Sequence, residues 1–471
     1  MNSVKIKFGT DGWRAIIADD YTVENVKRVA EATAEWLKNQ KKDASVVVGN
    51  DCRFAGKLFA DTTARVMASF GIKVYLAENK FVSTPMISLG TVNKVADLGI
   101  IITASHNPAE YNGFKIKANY GGPATPSVIS EIEDAIADIS SSSPESLEDY
   151  LKNGIIEYID LETMYVDHVE KNFNMDAIIN SGLNFAYDAM YGAGQNVMRR
   201  IMPDLTFLHC DYNPGFDGQA PEPIHKNLTE LSELIKVAGN IDAALVTDGD
   251  ADRIGMYDEN GNFVDSHHLL LLLIHYMHKY KKMEGKVITT FSCTQKLADL
   301  CKAYQLDHTI TKIGFKYICE LMVQDEEGFM VGGEESGGIA VAGHIPERDG
   351  IWIGLLIWEF MAVTGKSLTE LVSEVYEAVG SFSVERNDMR LKEEVKQAII
   401  NKCKNNEYKS FGDLMVTKVE DMDGYKFHFT DGEWVMIRPS GTEPVLRTYA
   451  EAANSERAFE ILNQTEKTLL G

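Results

Sequence analysis

Leu98-Gly99-Ile100-Ile101-Ile102-Thr103-Ala104-Ser105-His106-Asn107-Pro108 decides how this 471-residue chain is read. Five apolar residues in a row, without alternation, read as a strand buried on both faces. Asn-Pro breaks the run into a loop. A serine just past such a strand stands where open α/β sheets place their chemistry. His106 follows it and Lys115 comes ten residues on, which gives a candidate nucleophile two proton-handling neighbours. Taken alone, the segment also reads as an ordinary turn.

The flanking sequence repeats the pattern. Residues 5–8 read as a short strand that runs into Phe8-Gly9-Thr10-Asp11-Gly12-Trp13-Arg14. That segment is either a plain tight turn or a cradle of backbone N–H groups and Arg14 for an anion. Thr22 caps a helix whose apolar face is Val26, Val29, Ala30, Thr33, Trp36 and Leu37. Strands follow at 45–49 and 73–77, with a helix over 58–70 stopped by Gly71 and another opened by Ser83-Thr84-Pro85. Asp51 and Arg53 read as a structural pair, Tyr111-Asn112-Gly113 as a turn, 114–117 as an alternating strand, and 126–139 as a helix. The run Ser140–Pro144 marks a boundary.

Two similar cycles follow. One has strands at 184–188 and 242–246; the other has a strand near 286–290 and helices near 267–279 and 294–304. From about residue 380 the character changes. Alternating strands at 415–419 and 425–429 turn at Asp423-Gly424, strands at 434–437 and 445–449 follow, and Ser455 caps a final helix. The fold class is α/β. It comprises three similar α/β domains with mixed, largely parallel sheets, bounded at 1–155, 156–257 and 258–378, plus a C-terminal α+β domain at 379–471.

Lys and Arg number 46 against 70 Asp and Glu, a formal charge of −24. That surface repels nucleic acid and anionic membranes, so neither is an expected partner, and an anionic substrate needs a local basic pocket. Six scattered cysteines (52, 210, 293, 301, 319, 403) form no Cys-x-x-Cys pair, the pattern of reduced thiols in a cytoplasmic protein. The first residues carry no signal-peptide apolar region, and the apolar runs at 269–274 and 351–363 fall short of the roughly 20 residues of a membrane span.

Three segments carry chemistry besides the serine loop. Asp248, Asp250 and Asp252 follow a strand and offer hard oxygen ligands to Mg²⁺ or Ca²⁺. An EF-hand loop would use Glu259 at its twelfth position, but Arg253 stands where its glycine belongs. A dehalogenase-type phosphatase motif would have Thr or Val after the second aspartate, where this chain has Ala251. Gly333-Glu334-Glu335-Ser336-Gly337-Gly338 suits either sugar hydroxyls or a plain glycine turn. Arg438, Ser440, Gly441, Thr442 and Arg447 combine two guanidiniums, two hydroxyls and a glycine, a set suited to phosphate.

In order and spacing, segments 8–14, 103–108, 248–253, 333–338 and 438–444 resemble those of the α-D-phosphohexomutases, over the whole chain. The resemblance implies four domains around a central cleft, each lending one loop. It implies that Ser105 carries a phosphoryl group, that Asp248, Asp250 and Asp252 hold Mg²⁺ with a phosphoserine oxygen of Ser105, and that Lys115 is the general base. Arg14, His106 and Arg253 match further active-site positions. Glu334 and Ser336 match the pair that grips sugar hydroxyls. Arg348 matches a substrate-side lysine, and Arg438, Ser440, Gly441, Thr442 and Arg447 match the loop holding the non-reacting phosphate. The implied reaction interconverts hexose 1- and 6-phosphates through a hexose 1,6-bisphosphate that also serves as activator. Glu-Glu-Ser favours glucose. Gly337, where well-known phosphoglucomutases have phenylalanine, leaves open a phosphomannomutase or a dual-specificity enzyme acting on mannose and glucose phosphates. The expected assembly is a monomer or weak homodimer.

Overall fold

The computed structural model describes residues 4–9, 12–325, 328–439 and 445–471. The chain divides into two compact units, residues 1–288 with 314–371 and residues 289–313 with 372–471.

In the first unit, a six-stranded sheet runs in the order Trp13–Ile16, Tyr111–Ala118, Leu98–Ile102, Ser45–Asn50, Lys73–Ala77, Ile156–Ile159. The last four are mutually parallel; the first two are antiparallel additions. Leu98–Ile102 is buried at every position, as its unbroken apolar run requires. Helices Val23–Gln40 and Gly56–Ser69 pack on this sheet. Thr22 caps the first by accepting from Asn25 N, and Ser83 caps helix Thr84–Asn93 by accepting from Met86 N.

A second sheet of this unit has the order Phe263–Val264, Ile254–Asp258, Ala243–Thr247, Phe185–Asp188, Thr206–Leu208, its last three strands parallel. Phe329–Gly333 and Ile339–Val341 form an antiparallel pair. The apolar run at 351–363 belongs to helix Gly350–Thr364, most of which is buried. Among the described residues no single helix is long and apolar enough to cross a membrane, and all six cysteines are free and buried.

The second unit contains an antiparallel sheet, Ser383–Arg390, Val445–Ala452, Trp434–Pro439, Tyr425–His428, Lys418–Glu420. Helices Glu393–Lys404 and Ser455–Leu470 contribute Ile399, Ile461 and Leu462 to its core.

Several local expectations are corrected. Residues 5–8 form no strand; the N–H of Phe8 is taken by the Glu133 carboxylate, and the edge strand is Trp13–Ile16. Tyr111-Asn112-Gly113 is not a turn but the start of a strand paired with Trp13–Ile16. The helix expected to reach 139 ends at Asp134, before Ser140–Ser142 gather on the Glu31 carboxylate. The last helix is capped one residue early, by Asn454, which accepts from Arg457 N.

Candidate functional site

Ser105 follows strand Leu98–Ile102 with φ of +52°, a left-handed conformation that costs a residue with a Cβ on the order of 1–3 kcal/mol. Its surroundings enforce it. Ser105 N donates to Thr103 Oγ1 at 2.9 Å, and Thr103 donates in turn to Asp51. Arg53 lies beneath the loop. Its Nη2 donates to Ser105 O and Asn107 O, both at 2.6 Å, and its Nη1 to Pro108 O and Tyr111 O at 2.8 and 2.9 Å. Arg53 Nε lies 3.3 Å from Asp51 Oδ2, with both side chains fully buried. Burial pushes the Asp51 carboxyl up to about 6, against the pull of Arg53 and Thr103.

The aspartate loop follows strand Ala243–Thr247 and closes on this serine. Ser105 Oγ donates to Asp248 Oδ2 at 2.6 Å. Gly249 permits the approach, since a Cβ there would stand 2.5 Å from Ser105 O. Asp248 Oδ1 accepts the backbone N–H groups of Asp252 and Arg253. Lys115, buried, bridges Asp250 Oδ2 at 2.8 Å and Asp252 Oδ2 at 3.0 Å. Thr84 Oγ1 donates to Asp250 Oδ2 at 2.6 Å.

Asp248, Asp250 and Asp252 are fully buried and each offers an oxygen within 4.8 Å of the others. Among the described residues, Asp250 Oδ1 and Asp252 Oδ1 accept no hydrogen bond. Burial and the other two carboxylates raise the Asp248 pKa well above the usual range. Burial also opposes ionisation of Asp250, but the charge and hydrogen bond of Lys115, with the Thr84 hydroxyl, hold it low. Three converging carboxylates with two outer oxygens lacking donors fit a hard divalent cation.

His106 is held well below its ordinary pKa by burial and by Arg253, Arg14, Lys115 and Arg53. These four cations disfavour a further positive charge on its ring. Arg14 Nη1 donates to Asn107 Oδ1 at 2.6 Å, which fixes it beside the serine loop.

The Gly-rich segment turns tightly after strand Phe329–Gly333. Glu334 N donates to Gly338 O, Gly337 N to Glu334 O, and Ser336 Oγ to Glu334 Oε1 at 2.7 Å. Burial raises the Glu334 pKa, although Arg348 counters it. Arg348 connects the two loops: its Nη2 is 2.7 Å from Asp252 Oδ2 and its Nη1 3.6 Å from Glu334 Oε1.

Ser105, His106, Lys115, Arg14, the three aspartates, Arg253, Glu334, Ser336 and Arg348 thus all belong to the first unit, Arg14 and Lys115 on strands and the rest in loops. In the second unit Arg438 and Arg447 are cross-strand partners. Arg438 Nε lies 3.3 Å from Asp423 Oδ1 and Arg447 Nε 3.7 Å from Asp388 Oδ1. Ser440, Gly441 and Thr442 lie outside the described residues. Sequence reasoning missed the roles of Arg53 and Thr84 in shaping the site.

Comparison with known proteins gives one consistent result. Models of phosphoglucomutase/phosphomannomutase α/β/α domains I, II and III match residues 5–143, 163–261 and 265–379, and the C-terminal domain model matches 389–467. The chain is 30% identical to a phosphoglucomutase/phosphomannomutase of Thermococcus kodakarensis, over 98% of both chains. It is 29% identical to a probable phosphoglucosamine mutase of Methanosphaera stadtmanae, over 99% of this chain and 98% of the other. The crystal structure of a putative phosphomannomutase from Thermus thermophilus superposes with a TM-score of 0.88 at 30% identity, covering 100% of both chains.

Proposed function

The chain belongs to the α-D-phosphohexomutase superfamily, and we propose that within it the protein interconverts glucose 1-phosphate and glucose 6-phosphate through a phosphorylated Ser105. The observation that carries this reading is the 2.6 Å hydrogen bond from Ser105 Oγ to Asp248 Oδ2 inside a buried carboxylate cluster. A phosphoryl group on Oγ removes the proton that makes this bond and adds about −1.5 to −2 charge beside three carboxylates. These like charges repel, and a cation between them offsets the repulsion. Asp248, Asp250 and Asp252, with a phosphoserine oxygen, would hold Mg²⁺. Bound there, the ion would offset charge on the transferring oxygens.

In the proposed reaction the Oγ–P bond of Ser105 breaks as a sugar hydroxyl oxygen bonds to phosphorus, and the hydroxyl proton passes to the lone pair of Lys115 Nζ in its unprotonated form. The product is glucose 1,6-bisphosphate. After the sugar turns, its other phosphoryl group returns to Ser105 Oγ, and the sugar oxygen left behind takes a proton. Arg14 and Arg253, beside a neutral His106, stabilise charge on the phosphoryl oxygens. Glu334 and Ser336 accept and donate to sugar hydroxyls, with Arg348 between them and the aspartate loop. Arg438 and Arg447, with Ser440, Gly441 and Thr442, hold the non-reacting phosphate through paired donors.

Mannose phosphates are the second reading, favoured by Gly337. Its φ is +92° and a Cβ there would lie 2.6 Å from Ile254 O, so this loop admits no side chain beside the sugar pair. A coupled assay with glucose, mannose, glucosamine and N-acetylglucosamine 1-phosphates, primed with a trace of the matching 1,6-bisphosphate, tests the assignment. Glucose 1-phosphate is expected to give the highest kcat/KM, with mannose next. A higher value for either amino sugar refutes it, and net release of inorganic phosphate instead of isomerisation refutes the mutase reading.

A further inference from the structure

Two elements of the first sheet's layer each reach the same pair of targets. Helix Thr84–Asn93 presents Thr84 and Ser88, four residues apart and so on one face. Thr84 donates to Asp250, and Ser88 Oγ donates to Glu347 Oε2 at 2.9 Å. Strand Tyr111–Ala118 presents Lys115 and Lys117, two apart and so on one face. Lys115 meets Asp250 and Asp252, and Lys117 Nζ meets Glu347 Oε2 at 2.7 Å with both side chains fully buried. Gly99 lies opposite Lys117 in the ladder. A Cβ there would come within 3.2 Å of Lys117 Cβ and 2.4 Å of Thr91 Oγ1, so the missing side chain makes room for the lysine stem.

The second oxygen of Glu347 addresses its neighbour in sequence. Glu347 Oε1 accepts from Arg348 N at 3.1 Å and lies 3.8 Å from Arg348 Nε. The same guanidinium reaches Asp252 and Glu334. A buried ion pair is weak support for a fold, because apolar residues of similar volume serve stability as well or better. What this pair does provide is a fixed direction for Arg348.

We infer that Glu347, fixed by Lys117 and Ser88, is a positioning residue that aims Arg348 at both the aspartate loop and the Glu334–Ser336 loop. The inference rests on the reading of those loops as the metal and sugar sites. Its consequence is a coupling: Ser88 and Lys117 influence turnover only through Arg348.

A variant cycle on the full chain tests it. Lys117→Met with Glu347→Gln removes both charges together, which spares the fold the burial of a lone ion. Steady-state kinetics with glucose 1-phosphate and a bisphosphate primer are measured for wild type, this double variant, Arg348→Met and the triple variant. The double variant is expected to lose at least tenfold in kcat/KM, chiefly through a raised KM, and the triple variant to match Arg348→Met. Ser88→Ala, which deletes a single hydrogen bond, is the milder arm: a two- to fivefold loss that vanishes in the Arg348→Met background. Undiminished kcat/KM in the double variant, or equal losses in both backgrounds, overturns the inference. An inactive wild type would instead overturn the reading of the site, so the two failures are distinguishable.

Discussion

Ser105 Oγ and Asp248 Oδ2 are joined at 2.6 Å across 143 positions of sequence. This bond ties the end of strand Leu98–Ile102 to the loop after strand Ala243–Thr247. Replacing Ser105 by Ala is expected to lower turnover at least about a thousandfold, as loss of a covalent carrier does. Circular dichroism should show a retained fold. Loss of one hydrogen bond to a buried carboxylate costs about 1–3 kcal/mol, read from chemical denaturation.

Asp250 Oδ1 and Asp252 Oδ1, buried without donors among the described residues, are expected to make the protein Mg²⁺-responsive. Adding Mg²⁺ to chelator-treated protein at 100 times its Kd should stabilise it by about 2.7 kcal/mol, seen as a rise in Tm. Asp250→Asn should weaken this response and abolish turnover together. A Tm indifferent to Mg²⁺ in the wild type would contradict the metal assignment.

Arg53 holds four carbonyls of the serine loop and pairs with a buried Asp51. Arg53→Met removes the cation and leaves Asp51 uncompensated. The expected cost is about 3–5 kcal/mol in denaturation experiments, with kcat falling further than the loss of folded protein explains because Ser105 leaves its strained conformation.

The parts of the site legible in the sequence are those carried by strand ends. Ser105 and the three aspartates follow unbroken apolar runs, and Lys115 lies on the next strand. Arg53 was not legible as a loop anchor, because its four acceptors are backbone carbonyls and carbonyls leave no mark in a sequence. Tyr111-Asn112-Gly113 misled for a related reason. Asn-Gly is a turn signal, yet a Cβ at Gly113 would stand 2.5 Å from Thr103 O and 2.6 Å from Trp13 O, so that glycine serves close strand approach. Glu347 left no mark in the sequence, since its partners Ser88 and Lys117 are 259 and 230 positions away.

Gly249→Ala should separate the two halves of the site. Its methyl group would meet Ser105 O at 2.5 Å, a backbone atom that cannot swing aside. A stability loss of about 1–3 kcal/mol is expected, with a far larger effect on turnover. Near wild-type kcat/KM would show that the Ser105–Asp248 approach is dispensable.

His168 offers a pH prediction away from the metal site. Burial and the neighbouring His344, whose Nδ1 lies 3.1 Å from His168 Nε2, lower its pKa to about 4. An unfolded histidine titrates near 6.5. Between these values the unfolded chain binds more protons, so this contribution to stability is present above about pH 6.5 and is lost as pH falls toward 4. Denaturation midpoints of His168→Gln should therefore fall less than those of wild type over that window. Parallel curves would contradict the assignment.

The most direct test is to follow the phosphoryl group itself. Protein incubated with Mg²⁺ and glucose 1,6-bisphosphate is split for peptide mapping before and after a chase with glucose 1-phosphate. One phosphoryl group on Ser105 that leaves on the chase and reappears in sugar bisphosphate is the expected result. An active enzyme whose Ser105 never carries phosphate, or whose label leaves only as inorganic phosphate, would contradict it.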